Sequence, residues 1–179
     1  MAVDHRIFSG PQLQEDYYGP PEWKREILSR FDDVDLRRYP QSNVEVYRLV
    51  FLPSFRKPIS IRIENRSGSY AAIATRLNGT AGFGYDELGR QESERARFIS
   101  KDDWLAFNQL IEDSRFWEME TLDIWDEPVN DGAHWVLEGE NGMYHRVSRI
   151  TPSRKLRVAM LRMIELADAR GDYEGYFSE

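Results

Sequence analysis

The feature that most constrains this chain is Asn141-Gly142, set between two strand-like segments, residues 134–140 and 143–150. Asn-Gly tolerates the positive φ that both central residues of a type I′ turn require, and such turns join antiparallel strands. The dipeptide therefore predicts a two-residue β-hairpin. Pairing outward from it sets Glu140 opposite Met143, Gly139 opposite Tyr144 and Glu138 opposite His145. Side chains alternate between faces along a strand. Trp135, Leu137, Tyr144, Arg146, Ser148 and Ile150 then share one face. That face is the expected core face, with Arg146 its one discordant member.

An apolar sheet face needs a cover. Thr151-Pro152 predicts the start of a helix running to about Arg170, with Gly171 as its C-cap. Leu156, Ala159, Met160, Met163, Ile164 and Ala167 form one apolar stripe on it. A second helix is expected after Ser100, which with Asp103 makes a capping-box variant. Trp104, Phe107, Leu110 and Ile111 would be its buried face. A shorter helix is expected from Pro21 through Trp23, Ile27, Leu28 and Phe31.

Residues 44–52, 59–63 and 70–77 show the period-two pattern of strands, and Pro53 and Pro58 bound the first connection. Residues 91–99 read as a polar, exposed strand, and Ser67-Gly68-Ser69 as a turn. The expected fold is α+β: an antiparallel sheet, a C-terminal hairpin followed by a long amphipathic helix, and one or two further helices packed on the sheet. A chain of 179 residues fits a single domain, 1–179. Gly10-Pro11 and Gly19-Pro20-Pro21 make residues 1–20 irregular.

Several chemistries are excluded by residue type or spacing. The chain contains no cysteine, which removes disulfides, thiolate metal sites and cysteine nucleophiles. Residues 79–84 are glycine-rich but lack the Gly-Lys-Ser/Thr ending of a phosphate loop. No Gly-x-Ser-x-Gly or His-Glu-x-x-His motif occurs. Residues 123–132 offer oxygen ligands without the spacing of a calcium loop. His134 and His145 would lie roughly 13 Å apart on the hairpin, too far for one zinc ion. No cofactor and no metal is expected. With no basic start followed by an apolar run, and no long apolar stretch, a cytoplasmic location and no membrane partner are expected.

The net charge is −7, which disfavours nucleic acid as a partner. The excess is local. Between residues 112 and 140 stand Glu112, Asp113, Glu118, Glu120, Asp123, Asp126, Glu127, Asp131, Glu138 and Glu140, against Arg115 alone. Trp117, Trp125 and Trp135 lie in the same stretch. Such a segment is either a solvated cover with its tryptophans turned inward or an acidic, aromatic surface for a basic partner. In the second reading, Asp123, Trp125, Asp126, Glu127 and Asp131 are the contact residues.

Phe116-Trp117, residues 131–138 (DGAHWVLE) and residues 144–152 (YHRVSRITP) form a succession of motifs. It resembles a pattern shared by small uncharacterised bacterial proteins, and it covers about residues 100–165. The resemblance implies lipoprotein or toxin-immunity material, and the expectation of no signal peptide departs from the former.

The leading expectation is a non-catalytic, cytoplasmic immunity or inhibitor protein that neutralises a basic toxin or enzyme. One alternative is a small hydrolase-like enzyme using a Glu138–His145 acid–base pair. Another is an assembly subunit that exposes Tyr173, Tyr176 and Phe177.

Overall fold

The structure is a computed structural model, and it describes residues 27–33, 35–38, 44–80, 88–121 and 133–177. Six strands form one sheet: β1 (Val44–Pro53), β2 (Ile59–Arg66), β3 (Ser69–Leu77), β4 (Gln91–Phe98), β5 (Ala133–Glu140) and β6 (Tyr144–Arg149). Their spatial order is β4-β3-β2-β1-β5-β6, and every neighbouring pair is antiparallel. The helices α1 (Lys101–Ser114) and α2 (Arg154–Leu166) complete the α+β fold. The first four strands make a meander. α1 then carries the chain from the β4 edge across the sheet, so that β5 pairs with the other side of β1.

The two helices cover one face. Tyr47, Leu49, Phe51, Ile59, Ile61, Ile63, Trp135, Leu137 and Val147 bury there against Trp104, Phe107 and Ile111 of α1 and Leu156, Met160, Met163 and Ile164 of α2. Ser100 caps α1: its hydroxyl accepts from the Asp103 backbone N–H at 3.0 Å. Arg115 ends that helix in the left-handed conformation, at φ 58°. Ser153 caps α2. This helix stops at Leu166 rather than near Arg170, and Asp168, at φ 55°, takes the left-handed position expected of Gly171.

The opposite face is covered at its centre by residues 27–38, of which 27–30 are helical and Leu36–Arg38 form a 3-10 turn. Ile27, Leu28 and Phe31 pack on Val50, Leu52 and Val136, and Leu36 packs on Val46. β1 is therefore buried on both sides over Val46 to Pro53. A strand sandwiched in this way reads as a nearly continuous apolar run rather than an alternation. The part of the N-terminal helix expected through Trp23 lies outside the described residues.

The hairpin corrects the expected register. β5 and β6 do pair, but Glu140 faces Tyr144, Gly139 faces His145, Glu138 faces Arg146 and Leu137 faces Val147. The connection is three residues, Asn141-Gly142-Met143, and only Gly142 has a positive φ, at 98°. A type I′ turn needs positive φ at both central residues, and Asn141 does not supply it. The Glu140 carboxylate instead accepts the Gly142 N–H at 2.8 Å. A one-residue slip moves every side chain of a strand to the other face. Val147 thus enters the helix-covered core, while Tyr144, Arg146 and Ser148 turn to the opposite face. The two-residue turn with both φ positive occurs elsewhere, at Ser67 (51°) and Gly68 (86°) between Arg66 and Ser69.

Candidate functional site

Position in the fold divides the ten acids of residues 112–140 into three groups. Glu112 and Asp113, at the end of α1, and Glu118 and Glu120, just beyond it, are exposed. Glu138 and Glu140 are buried in β5. Asp123, Asp126, Glu127 and Asp131, together with Trp125, lie outside the described residues. So all five sequence-derived contact residues, Asp123, Trp125, Asp126, Glu127 and Asp131, fall there. Arg115, the one base of the stretch, is engaged with the Glu118 carboxylate.

The chain leading into residues 122–132 is held against β6. The Ser148 backbone N–H donates to the Thr121 carbonyl at 2.8 Å. The Arg149 guanidinium donates to the Glu120 carbonyl at 2.8 Å and the Thr121 carbonyl at 3.1 Å. Arg149 is itself buried. Its charge satisfies two backbone acceptors that would otherwise be costly to bury. On the far side the chain re-enters the sheet at Ala133, opposite Pro53. The acidic stretch is thus fixed at both ends on the β5–β6 side of the sheet.

The two described tryptophans of the stretch pack inward. Trp135 is buried, with its ring 4.1 Å from that of Phe51. Trp117 is half-buried, beside Phe116 and Tyr47. Of the three tryptophans of the stretch, the two described ones thus follow the reading in which they turn inward, and Trp125 lies outside the described residues.

Glu138 and His145 are not cross-strand partners. Glu138 lies on the face covered by residues 27–38, where its Oε2 accepts from Arg48 Nε at 2.8 Å and Nη2 at 2.5 Å. Its Oε1 accepts from the Tyr144 hydroxyl. Arg48 is fully buried, and Nη1 also lies 3.4 Å from Asp33 Oδ2. Asp33 accepts from Arg62 Nη1 at 2.6 Å and from the Ser60 hydroxyl at 3.3 Å. Glu64 extends the network to Arg62 and Arg66. Burial opposes the charge on Arg48, but the Glu138 and Asp33 carboxylates outweigh it and hold its pKa above the ordinary value. Burial and the adjacent Glu138 carboxylate push the Tyr144 hydroxyl well above its ordinary range.

His145 sits on the helix face against the rings of Phe116 and Trp117, with centroids at 5.0 and 6.1 Å. Its Nε2 is buried without a hydrogen-bond partner. Desolvation pulls its pKa below 6.5, although hydrogen bonds to the Met119 and Phe116 backbones work against the shift. A neutral imidazole wedged between rings on one face cannot exchange a proton with a carboxylate on the other. His134 is likewise spoken for, with Nε2 2.7 Å from the Ser148 hydroxyl.

The C-terminal aromatics turn inward as well. Tyr173 is fully buried and donates to the Lys57 carbonyl at 2.7 Å, and burial pushes its pKa up to about 12. Tyr176 packs edge-on against Phe51 and Trp135. Phe177 lies beneath the Arg170 guanidinium. The exposed aromatic tail expected for an assembly subunit is not formed.

A shallow cleft of about 280 Å³ opens between the β1–β2 connection, the end of β3 and Tyr173. Its cations are engaged: Arg76 with the Asp172 carboxylate, Arg56 with the Asp172 carbonyl, and Lys57 with Glu92. Among the described residues no cluster of three or more histidines and acids could hold a metal ion. No described helix is long and apolar enough to cross a membrane. Neither a protein-family model nor a curated protein matches the chain.

Proposed function

We infer that the chain is a binding protein, and that its partner is a basic protein held by the acidic stretch between α1 and β5. The observation that carries this reading is the split among the carboxylates. Glu138 and Glu64 of the sheet are neutralised internally, the first by Arg48 and the second by Arg62 and Arg66. Glu112, Asp113, Glu118 and Glu120 face solvent with Arg115 as the one base of the stretch. Carboxylates concentrated in this way steer a cationic surface toward the chain and raise its association rate. An inhibitor or immunity protein for a basic toxin or enzyme is the class that fits. The resemblance over residues 100–165 points the same way. Asp123, Asp126, Glu127 and Asp131 follow these acids in sequence and, with Trp125, are proposed as contacts.

The test is capture by the immobilised chain from an extract of its source, in parallel with a variant carrying Asp123→Asn, Asp126→Asn, Glu127→Gln and Asp131→Asn. The reading expects a basic protein retained by the first, released by salt, and lost from the second. Equal capture by both, or capture of no basic protein, would overturn it.

A further inference from the structure

The two edges of the sheet are treated differently. The β6 edge is closed where Ser148 pairs with Thr121. At the other edge, among the described residues, β4 pairs with β3 alone, and seven of its eight residues are exposed. An edge strand presents a row of unpaired N–H and C=O groups, a template for another strand. β4 contains no proline to block it.

The register to β3 assigns the β4 side chains. Ser93, Arg95 and Arg97 stand opposite Arg76, Ala74 and Ala72, on the helix-covered face. Glu94, Ala96 and Phe98 stand opposite Thr75, Ile73 and Ala71, on the other. Arg95 and Arg97 have no ionic or hydrogen-bond partner among the described residues. Phe98 is 81% exposed, the most exposed large apolar side chain among the described residues. Among the described residues, the edge therefore carries two unpaired cations on one face and an exposed aromatic ring on the other.

This pattern decides the occupant. In a two-fold antiparallel pairing of β4 with its own copy, opposite residues point to the same face. Over the regular run from Ser93 to Phe98, Arg95 and Arg97 would then meet only Ser93, Arg95 or Arg97, and Glu94 only Glu94, Ala96 or Phe98. Within that run no register joins Glu94 to an arginine, and like charges placed directly opposite destabilise a strand pair. A second copy is disfavoured. A foreign strand with acids on one face and apolar residues on the other meets Arg95 and Arg97 with opposite charge and lays an apolar side chain on Phe98.

We propose that β4 is a docking edge for an extended segment of another protein in which acidic and apolar residues alternate. The segment adds as a seventh strand: backbone hydrogen bonds provide attachment, and Arg95, Arg97 and Phe98 provide selection. This edge is at the opposite end of the sheet from the acidic stretch, and its test uses no basic partner, so either reading can fail alone.

The probe is a capped, fluorescent Thr-Glu-Val-Glu-Val-Glu-Thr peptide, with a control in which the three glutamates are lysines. The acidic peptide should bind at least about ten-fold tighter than the control, with amide NMR shifts concentrated in β4. Arg95→Glu with Arg97→Glu, both at exposed positions, should reverse that preference. Equal binding of the two peptides, absence of binding, an unchanged preference in the double variant, or shifts centred away from β4 would each overturn the proposal. So would a concentration-dependent dimer formed through β4.

Discussion

Arg48 and Glu138 face each other across β1 and β5, ninety residues apart in sequence, with two guanidinium nitrogens on one carboxylate oxygen and both side chains buried. Desolvating two ions costs several kcal/mol each, and only close pairing with further hydrogen bonds recovers it. Here the further bond is the Tyr144 hydroxyl on Glu138, and Asp33 supplies a second carboxylate near Arg48. Asp33 belongs to the segment laid over the sheet, so the network also ties that cover down.

Removing one partner leaves the other charged and buried. Glu138→Gln and Arg48→Met should each lower unfolding stability by about 3–5 kcal/mol. The double variant should cost clearly less than the sum. Urea denaturation of the three variants checks this. Additive losses would mean that the pair is not coupled.

Asp33 is reached by Arg48, Arg62 and Ser60. Asp33→Ala should loosen the cover more than the sheet, with a local loss of about 1–3 kcal/mol. Hydrogen exchange should accelerate in residues 27–38 while the amides of β1 and β5 stay protected. Uniform acceleration across the sheet would contradict a local tie.

Gly139 faces His145, and a Cβ there would stand 2.9 Å from both Phe116 Cε1 and Trp117 Cη2. The neighbours are rings packed in the core, not flexible chain ends. Gly139→Ala should therefore destabilise by about 1–3 kcal/mol, the usual cost of overpacking. Thermal unfolding measures it. An unchanged or raised melting temperature would show that the rings yield freely.

His145 gives a pH dependence of definite sign. Its folded pKa is lowered, so below the unfolded value of about 6.5 the unfolded chain binds a proton that the folded chain refuses. Its contribution is full above that value and declines as pH falls toward the lowered folded pKa. His145→Phe removes the titration. The difference in unfolding free energy between wild type and variant should shift against the wild type between about pH 7 and pH 5. A flat difference would contradict a desolvated imidazole.

β2, β3 and the two long helices are legible because burial on one face or stripe leaves a period of two or of 3.6, while β1, buried on both sides, shows as an apolar run between prolines. The hairpin register was not. Asn141-Gly142 is the stronger turn signal, but the type I′ geometry went to Ser67-Gly68. One warning was present in the sequence: a two-residue turn puts Arg146 on the core face, and a three-residue turn replaces it there with Val147. Arg48 and Glu138 each stand out as a charge in an apolar run, yet their pairing depends on β5 lying beside β1. That adjacency is set by a crossover, to which local periodicity is blind. The clustering of acids was legible from composition. Their division into buried and exposed sets needed the fold.

The most direct measurement of the central reading is zero-length carboxylate-to-lysine cross-linking of the chain in a native extract, with the linked residues mapped by mass spectrometry. A binding surface between α1 and β5 predicts links from Glu112, Asp113, Glu118, Glu120 and the acids of residues 122–132 to lysines of a basic protein. Links arising elsewhere on the chain, or none to any basic protein, would contradict it.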